Sequence, residues 1–145
     1  MRFWDSSALV KLYVREPDSA EFKKLAADPE LPLISSFTIH ELHCAFWRKE
    51  FASALTNGAA EVLFEKFLRQ IESDKFKLVA YSAKVKDRAT EVIRICYRKS
   101  LPITIRSLDA LQIASALDGG ASDMVSADLR MRDAGKLFGL RLFPS

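Results

Sequence analysis

The sequence is poor in cysteine and contains no motif that would pair its two cysteines with each other. Cys44 and Cys96 are the only two among 145 residues, and they lie 52 positions apart without a C-x-x-C pair. Both fall in segments with helical periodicity, and isolated cysteines of this kind are typical of reduced thiols rather than of disulfides or zinc sites. We therefore expect two buried free thiols and a reducing compartment, the cytoplasm.

Long hydrophobic runs are absent as well. No stretch approaches the roughly 18 consecutive apolar residues that a membrane-spanning helix needs, so we expect no membrane span. Only Met1 to Trp4 precede the first candidate site residue, so we also expect no signal peptide. Repeats, low-complexity tracts and linkers are missing too. Residues 1–145 are expected to form a single domain that buries about two thirds of its unfolded surface.

The net charge of +3 is small, but it is unevenly distributed. Residues 1–75 carry 10 Lys and Arg against 12 Asp and Glu, whereas residues 76–145 carry 12 against 7. Between Lys84 and Arg106, seven basic side chains accompany only two acidic ones. This basic stretch is either a solvated helix face or a flank that favours a polyanionic substrate, and both interpretations stay open.

Apolar, strand-like segments alternate with helical patterns along the chain. The predicted strands are residues 2–4, 31–35, 77–81, 124–126 and 140–143. Residues 108–117 are apolar almost all round and are predicted to form a buried central helix, while the proline-containing segment 101–105 is predicted to be an irregular connection. Because alternating strands and helices indicate a parallel sheet, we predict an α/β fold with about five central parallel strands and helices on both faces.

Four acidic residues stand where a predicted strand ends or a helix begins: Asp5, Glu41, Asp109 and Asp128. The carboxyl ends of parallel strands meet at one edge of a sheet, where sites are built. Carboxylates gathered there raise one another's pKa unless a cation joins them, and hard oxygen ligands suit Mg²⁺ or Mn²⁺. The pattern predicts a metal-dependent enzyme, provided that folding brings these distant side chains into one pocket.

Each of these acids also has a purely structural interpretation. Asp5 and Asp128 can act as helix N-caps, Glu41 can complete a capping box with Thr38, and Asp109 can favour a helix dipole. Asp109 is the hardest to explain in this way, because it heads a helix that is otherwise buried, where an unpaired charge is costly.

Four segments together resemble the PIN-domain ribonucleases, most closely the VapC-type toxins of bacterial and archaeal toxin–antitoxin pairs. They are FWDSSALVKLY at 3–13, SSFTIHEL at 35–42, RSLDALQIASA at 106–116 and VSAD at 125–128. The segments occur in the family's order and span nearly the whole chain. The chain departs from many members in one place, since residues 100–105 lack a glycine.

This resemblance implies a single PIN-like nuclease domain, a metal-dependent endoribonuclease that hydrolyses RNA phosphodiester bonds. In the family, the positions of Asp5, Glu41, Asp109 and Asp128 hold the Mg²⁺ or Mn²⁺. The hydroxyl residue two before the last acid, here Ser126, commonly assists, and we expect Ser6 to support the ligands too. The implied partners are RNA, a cognate antitoxin and a second copy of the chain. A catalytically inactive PIN-like protein that binds RNA or a partner is the alternative.

Basic residues near these motifs are candidates for holding the RNA backbone. Lys11 lies four residues after Ser7, Arg106 stands just ahead of Asp109, and Arg130 follows Asp128. Each of the three basic residues also fits an ordinary structural role.

Histidines and aromatic residues offer weaker alternatives. His40 and His43 flank Glu41, but H-E-x-H lacks the spacing of the metalloprotease H-E-x-x-H motif, and no third soft ligand is evident. Phe46, Trp47 and Phe51 crowd one helical segment. They are interpreted as core, or alternatively as a hydrophobic groove for a dimer mate or an antitoxin segment.

A phosphoryl-transfer protein on a similar sheet is disfavoured by the residues that follow the strands. Asp5-Ser6-Ser7 lacks the D-x-D of haloacid-dehalogenase-type phosphatases. A receiver domain requires an acceptor Asp at the end of its third strand, where this chain has Ala80-Tyr81-Ser82.

Overall fold

A computed structural model describes residues 1–145 as five short strands and seven helices. The strands are β1 (Arg2–Trp4), β2 (Leu33–Ser35), β3 (Lys77–Val79), β4 (Asp123–Val125) and β5 (Arg141–Phe143). The helices are α1 (Ser6–Tyr13), α2 (Ser19–Ala26), α3 (Ser36–Phe51), α4 (Ala59–Glu72), α5 (Ala83–Arg98), α6 (Ser107–Asp118) and α7 (Leu129–Leu137). All strands are parallel, in the order β3-β2-β1-β4-β5. The predicted α/β fold with five parallel strands is confirmed.

The alternation of side chains along the strands creates two cores, one on each face of the sheet. Phe3, Leu33 and Met124 point to the face covered by α5, α6 and α7. Their sequence neighbours Trp4, Ile34 and Val125 point to the face covered by α1, α2, α3 and α4. The central strands β1, β2 and β4 are covered on both sides in this way, which explains why consecutive residues in each of them are apolar.

Helix α6 is the buried central helix that the sequence predicts. Its small residues Ala110, Ala114 and Ala116 are fully buried and let it lie close to α5 and the sheet. Three polar side chains are buried within the same helix, Asp109, Gln112 and Ser115. Asp109 and Gln112 belong to the site described below.

Helix α3 begins earlier than the sequence pattern indicates. Ser35 caps it, with its Oγ accepting a hydrogen bond from the amide of Phe37 at 3.1 Å. Thr38 is therefore buried inside the first turns, where it contacts Gln112, and the predicted capping box between Thr38 and Glu41 is wrong. The carboxylate of Glu41 is thus left for other contacts.

The connection between α5 and α6 is irregular, as predicted for its proline-containing sequence. Two hydrogen bonds tie it down: Ile103 N–H donates to the carbonyl of Cys96 at 3.1 Å, and the Tyr97 hydroxyl donates to the carbonyl of Ile105 at 3.1 Å. This connection delivers Arg106 to the start of α6.

Three residues predicted to be buried are exposed. Both cysteines are free thiols, as expected, but only Cys96 is buried and Cys44 is exposed. On α3, Phe46 enters the core whereas Trp47 and Phe51 are 46% and 94% exposed, so the core interpretation is wrong for these two.

None of the helices combines the length and the apolar character that crossing a bilayer requires.

Candidate functional site

One pocket of about 470 Å³ is lined by all four of the acidic residues that the sequence singles out, Asp5, Glu41, Asp109 and Asp128. It lies beyond the carboxyl ends of β1, β2 and β4. The chain runs outward from β1 in one direction through β2 and β3, and in the other through β4 and β5. The β1–β4 boundary is therefore a topological switch point, the place where open α/β sheets form their binding crevices.

Asp5 is the acid that the sheet itself positions. Its amide donates to the carbonyl of Val125 at 3.0 Å, which continues the β1–β4 ladder by one residue. Its carboxylate is 4% exposed and accepts hydrogen bonds at Oδ2 from Ser7 Oγ at 2.5 Å and from Ser126 Oγ at 3.0 Å. Burial raises the pKa of Asp5 and the nearby Asp128 adds to the rise, while the two hydroxyls oppose it.

The hydroxyl partners of Asp5 match the sequence expectation only in part. Ser126 makes the expected contact and also accepts a hydrogen bond from the amide of Asp128 at 3.1 Å. Ser6 lines the pocket, but only its backbone amide bonds to the Asp5 carboxylate; its hydroxyl donates no hydrogen bond to an acid. Its neighbour Ser7 does so instead, and its Oγ also accepts a hydrogen bond from the amide of Ala127 at 3.0 Å.

Asp128 serves as a helix cap and as a wall of the pocket at the same time. Its Oδ1 accepts hydrogen bonds from the amides of Arg130 at 2.8 Å and Met131 at 3.1 Å, which caps α7. Its Oδ2 lies 3.9 Å from Nη2 of Arg106. The structural interpretation of Asp128 therefore holds for one oxygen and leaves the other available.

Asp109 heads α6 with its side chain only 8% exposed. Its Oδ2 accepts hydrogen bonds from Nε of Arg106 at 3.1 Å and from the Arg106 amide at 3.4 Å. The Arg106 side chain is 66% exposed, so its guanidinium reaches Asp109 from the solvent side. The four carboxylates are thus accompanied by one guanidinium that contacts two of them.

Glu41 is held by a buried amide that the sequence reasoning missed. Gln112 is fully buried and donates from Nε2 to Glu41 Oε1. The amide is oriented by Ser35 Oγ, which donates to Gln112 Oε1 at 2.8 Å. Burial raises the pKa of Glu41 to about 7, Asp5 and Asp109 add to the rise, and Gln112 opposes it. The available signal was one glutamine inside a helix that is otherwise apolar.

The four carboxylates are the kind of ligand that a hard divalent cation prefers, but they are not arranged around an ion in this structure. All four donors are carboxylates, the ligands that Mg²⁺ and Mn²⁺ prefer. Burial is the main cause of the raised pKa values of Asp5 and Glu41, and neighbouring carboxylates raise both further. However, no three acidic, histidine or cysteine side chains are grouped closely enough to hold a metal ion. An ion held by three of these acids therefore requires changes in side-chain conformation.

A basic groove adjoins the acidic pocket and shares Arg106 and Asp128 with it. Its volume is about 1010 Å³, and its other basic residues are Lys99, Arg130 and Lys136. Of the basic residues from 84 to 106, only Lys99 and Arg106 reach this groove. The basic stretch is thus mainly a solvated face of α5.

Lys11 lies apart from the pocket and the groove. Its ammonium is paired with Glu16 at 3.0 Å and Asp18 at 2.8 Å, and its side chain is only 12% exposed. Lys49 reaches the same Glu16 at 2.6 Å and does line the acidic pocket. Among the three basic residues singled out from the sequence, the structure therefore brings Arg106 and Arg130 to the site and not Lys11.

The histidines do not form a metal site. His43 pairs with Glu61 at 2.7 Å and stacks on the ring of Phe64, with ring centroids 3.7 Å apart. His40 is exposed and lines a separate cavity beside Glu41.

Comparison with known proteins places this geometry in context. The sequence pattern that defines the PIN domain matches residues 2–137. No curated protein sequence matches the chain.

Several solved structures share the fold at low sequence identity. VapC20 from Mycobacterium tuberculosis, described as a sarcin-ricin loop cleaving toxin, is 19% identical with a TM-score of 0.69 over 93% of this chain and 95% of its own. FitAcB from Neisseria gonorrhoeae is 16% identical with a TM-score of 0.70 over 99% of this chain and 96% of its own. VapBC2 from Rickettsia felis, solved bound to a DNA fragment from its promoter, is 18% identical with a TM-score of 0.68 over 97% of this chain and 96% of its own.

Proposed function

Because the chain belongs to the PIN-domain family, we propose that it is a metal-dependent endoribonuclease that hydrolyses RNA phosphodiester bonds. One observation carries this proposal: four carboxylates from distant parts of the chain line one pocket at the switch point of the sheet, next to a basic groove. An acidic pocket requires cations to receive a phosphodiester, and the groove supplies positive charge for the rest of the strand.

We assign roles according to what each side chain contacts. Asp5, Asp109 and Asp128 would hold Mg²⁺ or Mn²⁺, and Glu41 would complete the ligand set or position the attacking water. Such an ion, when bound, supplies Lewis-acid activation of the phosphodiester and of water. Ser7 and Ser126 keep Asp5 oriented through its Oδ2.

Glu41 is the residue best suited to accept a proton. Its pKa of about 7 lies near the pH at which a general base works best. Gln112 holds its Oε1 in place, so Oε2 is the oxygen left to take part. No serine, cysteine or histidine nucleophile is needed for this chemistry.

The basic groove would hold the RNA backbone next to the scissile bond. Its lining includes Lys99, Arg130 and Lys136, and none of these three forms an ion pair with an acid. Arg106 lies where the groove meets the acidic pocket, so it is placed to contact the phosphate that reacts.

We further propose that the protein is the toxin of a type II toxin–antitoxin pair. Support comes from the fold it shares with VapC20 and with VapBC2. The exposed Trp47 and Phe51 offer an apolar surface for the antitoxin or for a second copy in a homodimer. Two free thiols agree with a cytoplasmic location.

The test of the nuclease is cleavage of labelled single-stranded RNA by the purified protein, freed of any antitoxin. Cleavage should require Mg²⁺ or Mn²⁺, stop with EDTA and be lost in Asp5→Asn. It should persist in Asp87→Asn, which removes an exposed carboxylate that lines neither the acidic pocket nor the basic groove. Cleavage that survives in Asp5→Asn would overturn the proposed site. For the toxin role, expression of the protein alone should arrest growth, and co-expression of an antitoxin encoded beside it should suppress both the arrest and the cleavage.

One observation favours a second candidate function, a catalytically inactive PIN-like protein that binds RNA or a protein partner. No three acids are grouped to hold an ion, and Arg106 already neutralises Asp109. In that case the protein binds RNA with the same Kd in Mn²⁺ and in EDTA, and cleaves none. A metal-dependent Kd together with cleavage excludes this alternative.

A further inference from the structure

A second cavity, of about 630 Å³, opens beside the acidic pocket. The two share Ser6, Glu41, Arg48, Arg106 and Asp109. The basic groove meets the acidic pocket at Arg106 and Asp128, and neither Glu41 nor Asp109 lines that groove. An RNA strand whose phosphate lies at the four acids therefore borders two spaces with different lining residues, the basic groove and the second cavity.

One part of the wall of this second cavity, here called the Phe37 cavity, is aromatic and apolar, although most of the lining residues are polar or charged. Phe37 comes from the first turn of α3 and Leu108, 44% exposed, from the first turn of α6. The Phe37 ring is half-buried and packs edge-on against Tyr81, with centroids 5.6 Å apart and an interplanar angle of 78°. This packing holds the ring in place while part of it faces the cavity. A fixed aromatic surface of this kind is a stacking platform for a nucleobase.

Polar groups in the Phe37 cavity suit a base better than a second phosphate. Glu41 and Asp109 balance the guanidinium groups of Arg48 and Arg106, so the cavity has no excess positive charge to attract a second phosphate. His40, Ser107 and Arg48 supply hydrogen-bonding groups that can read the edge of a base. A base can reach such a cavity only from an unstacked, single-stranded segment.

We propose that the Phe37 cavity binds the nucleobase next to the scissile phosphate of single-stranded RNA, with the Phe37 ring stacking on the base. This inference rests on the proposed function, since it takes the phosphate to lie at the four acids. It assigns base selection to the first turns of α3 and α6, and backbone binding to the basic groove.

The test measures binding, so that it does not depend on turnover. In the Asp5→Asn background, fluorescence anisotropy gives the Kd for a short labelled single-stranded RNA. Phe37→Leu keeps apolar packing against Tyr81 but removes the ring, and should raise the Kd about tenfold, the order that base–aromatic stacking supplies. Phe37→Tyr should restore the wild-type Kd. The slope of log Kd against log salt should not change, because no phosphate contact is lost.

The matched control is Phe76→Leu. Phe76 is likewise half-buried and packs edge-on against an aromatic ring, that of Phe67 with centroids 5.4 Å apart, but it does not line the cavity, so its replacement should leave the Kd unchanged. An abasic nucleotide moved along the RNA supplies a second control. When the abasic nucleotide occupies the position whose base stacks on Phe37, proteins with and without the Phe37→Leu substitution should bind the RNA equally, because the stacking base is then absent.

An unchanged Kd in Phe37→Leu, or the same loss at every abasic position, would overturn the inference. The same holds if Phe37→Leu weakens capture of the antitoxin while RNA binding is unaffected, since the cavity then holds a protein side chain. The two proposals fail separately. Absence of cleavage with an intact Phe37 effect removes only the nuclease, and metal-dependent cleavage without a Phe37 effect removes only the base site.

Discussion

The guanidinium of Arg106 lies between two carboxylates of the acidic pocket, with Nε 3.1 Å from Asp109 Oδ2 and Nη2 3.9 Å from Asp128 Oδ2. It is the positive charge in contact with two of the four acids. In the proposed enzyme, a metal ion and this guanidinium would compete for the same oxygens.

Replacing Arg106 by Gln should therefore tighten Mn²⁺ binding, while weakening RNA cleavage because a phosphate contact is lost. We expect the Kd for Mn²⁺ to be roughly threefold to tenfold lower than in the wild type, because the ion no longer competes with one partly solvated ion pair. Isothermal titration calorimetry measures this Kd. Arg48→Gln is the control, because Arg48 lines the same pocket without an ion pair to an acid. Equal effects of the two variants would show that only net charge matters.

Asp5→Asn should fold and be at least as stable as the wild type at neutral pH without metal. The asparagine oxygen can still accept hydrogen bonds from Ser7 and Ser126, whereas the buried charge, whose pKa is raised, is removed. Thermal unfolding in EDTA measures the difference. A marked loss of stability would mean that the ionised carboxylate stabilises the fold.

Metal binding should raise the melting temperature, and Asp109→Asn should abolish that rise. At a concentration 100-fold above the Kd, a bound ligand adds about 2.7 kcal/mol to the free energy of unfolding. Differential scanning fluorimetry with Mn²⁺ and with EDTA measures the response. Asp87→Asn serves as the control and should respond as the wild type does. A full response in Asp109→Asn would remove Asp109 from the ligand set.

The metal-free protein should lose stability between about pH 4.5 and pH 7, the interval that separates the ordinary pKa of Glu41 from its raised value. Over this interval the folded state binds more protons than the unfolded state, so the free energy of unfolding falls as the pH rises. At pH 8, Glu41→Gln should be more stable than the wild type by about 1–2 kcal/mol, allowing for solvent screening of a partly exposed group. The difference should vanish near pH 4, where the wild-type side chain is also neutral. Urea unfolding in EDTA across this range measures it.

Gln112→Leu should destabilise the protein by about 1–3 kcal/mol, because the buried hydroxyls of Ser35 and Thr38 lose their shared partner. It should also weaken Mn²⁺ binding, since Glu41 is then no longer held. Ser115→Ala is a useful comparison: this serine is buried in the same helix, but its hydroxyl bonds only to the Leu111 carbonyl. Comparable loss of metal affinity in both variants would indicate a general effect of weakening α6.

The sequence was sufficient to predict the sheet and the gathering of the acids, because both follow from local patterns. Strand ends are visible as apolar runs, and parallel pairing brings Asp5 and Asp128 to adjacent strand ends. The functional roles of these acids stay predictions. What the sequence does not show is that no three of them are grouped for an ion in this structure.

Other features could not be predicted because they depend on helix phase or on distant contacts. Consecutive helical residues differ in direction by about 100°, so only the folded helix shows that Ser7, and not Ser6, faces Asp5. Gln112 meets Glu41 across 71 positions of sequence. Hydrophobicity alone likewise did not reveal that Trp47 and Phe51 would stay uncovered, since it does not say which face of α3 finds a partner.

Asp5 and the residues of the Phe37 cavity are held by different parts of the fold. The backbone hydrogen bond from Asp5 to Val125 fastens the central carboxylate to the sheet, whereas Phe37 and His40 stand on the opening turns of a surface helix. In the proposed nuclease, mutations in those turns would alter base selection while the central acid keeps its place. Relatives that share this scaffold would in this way cleave different RNAs.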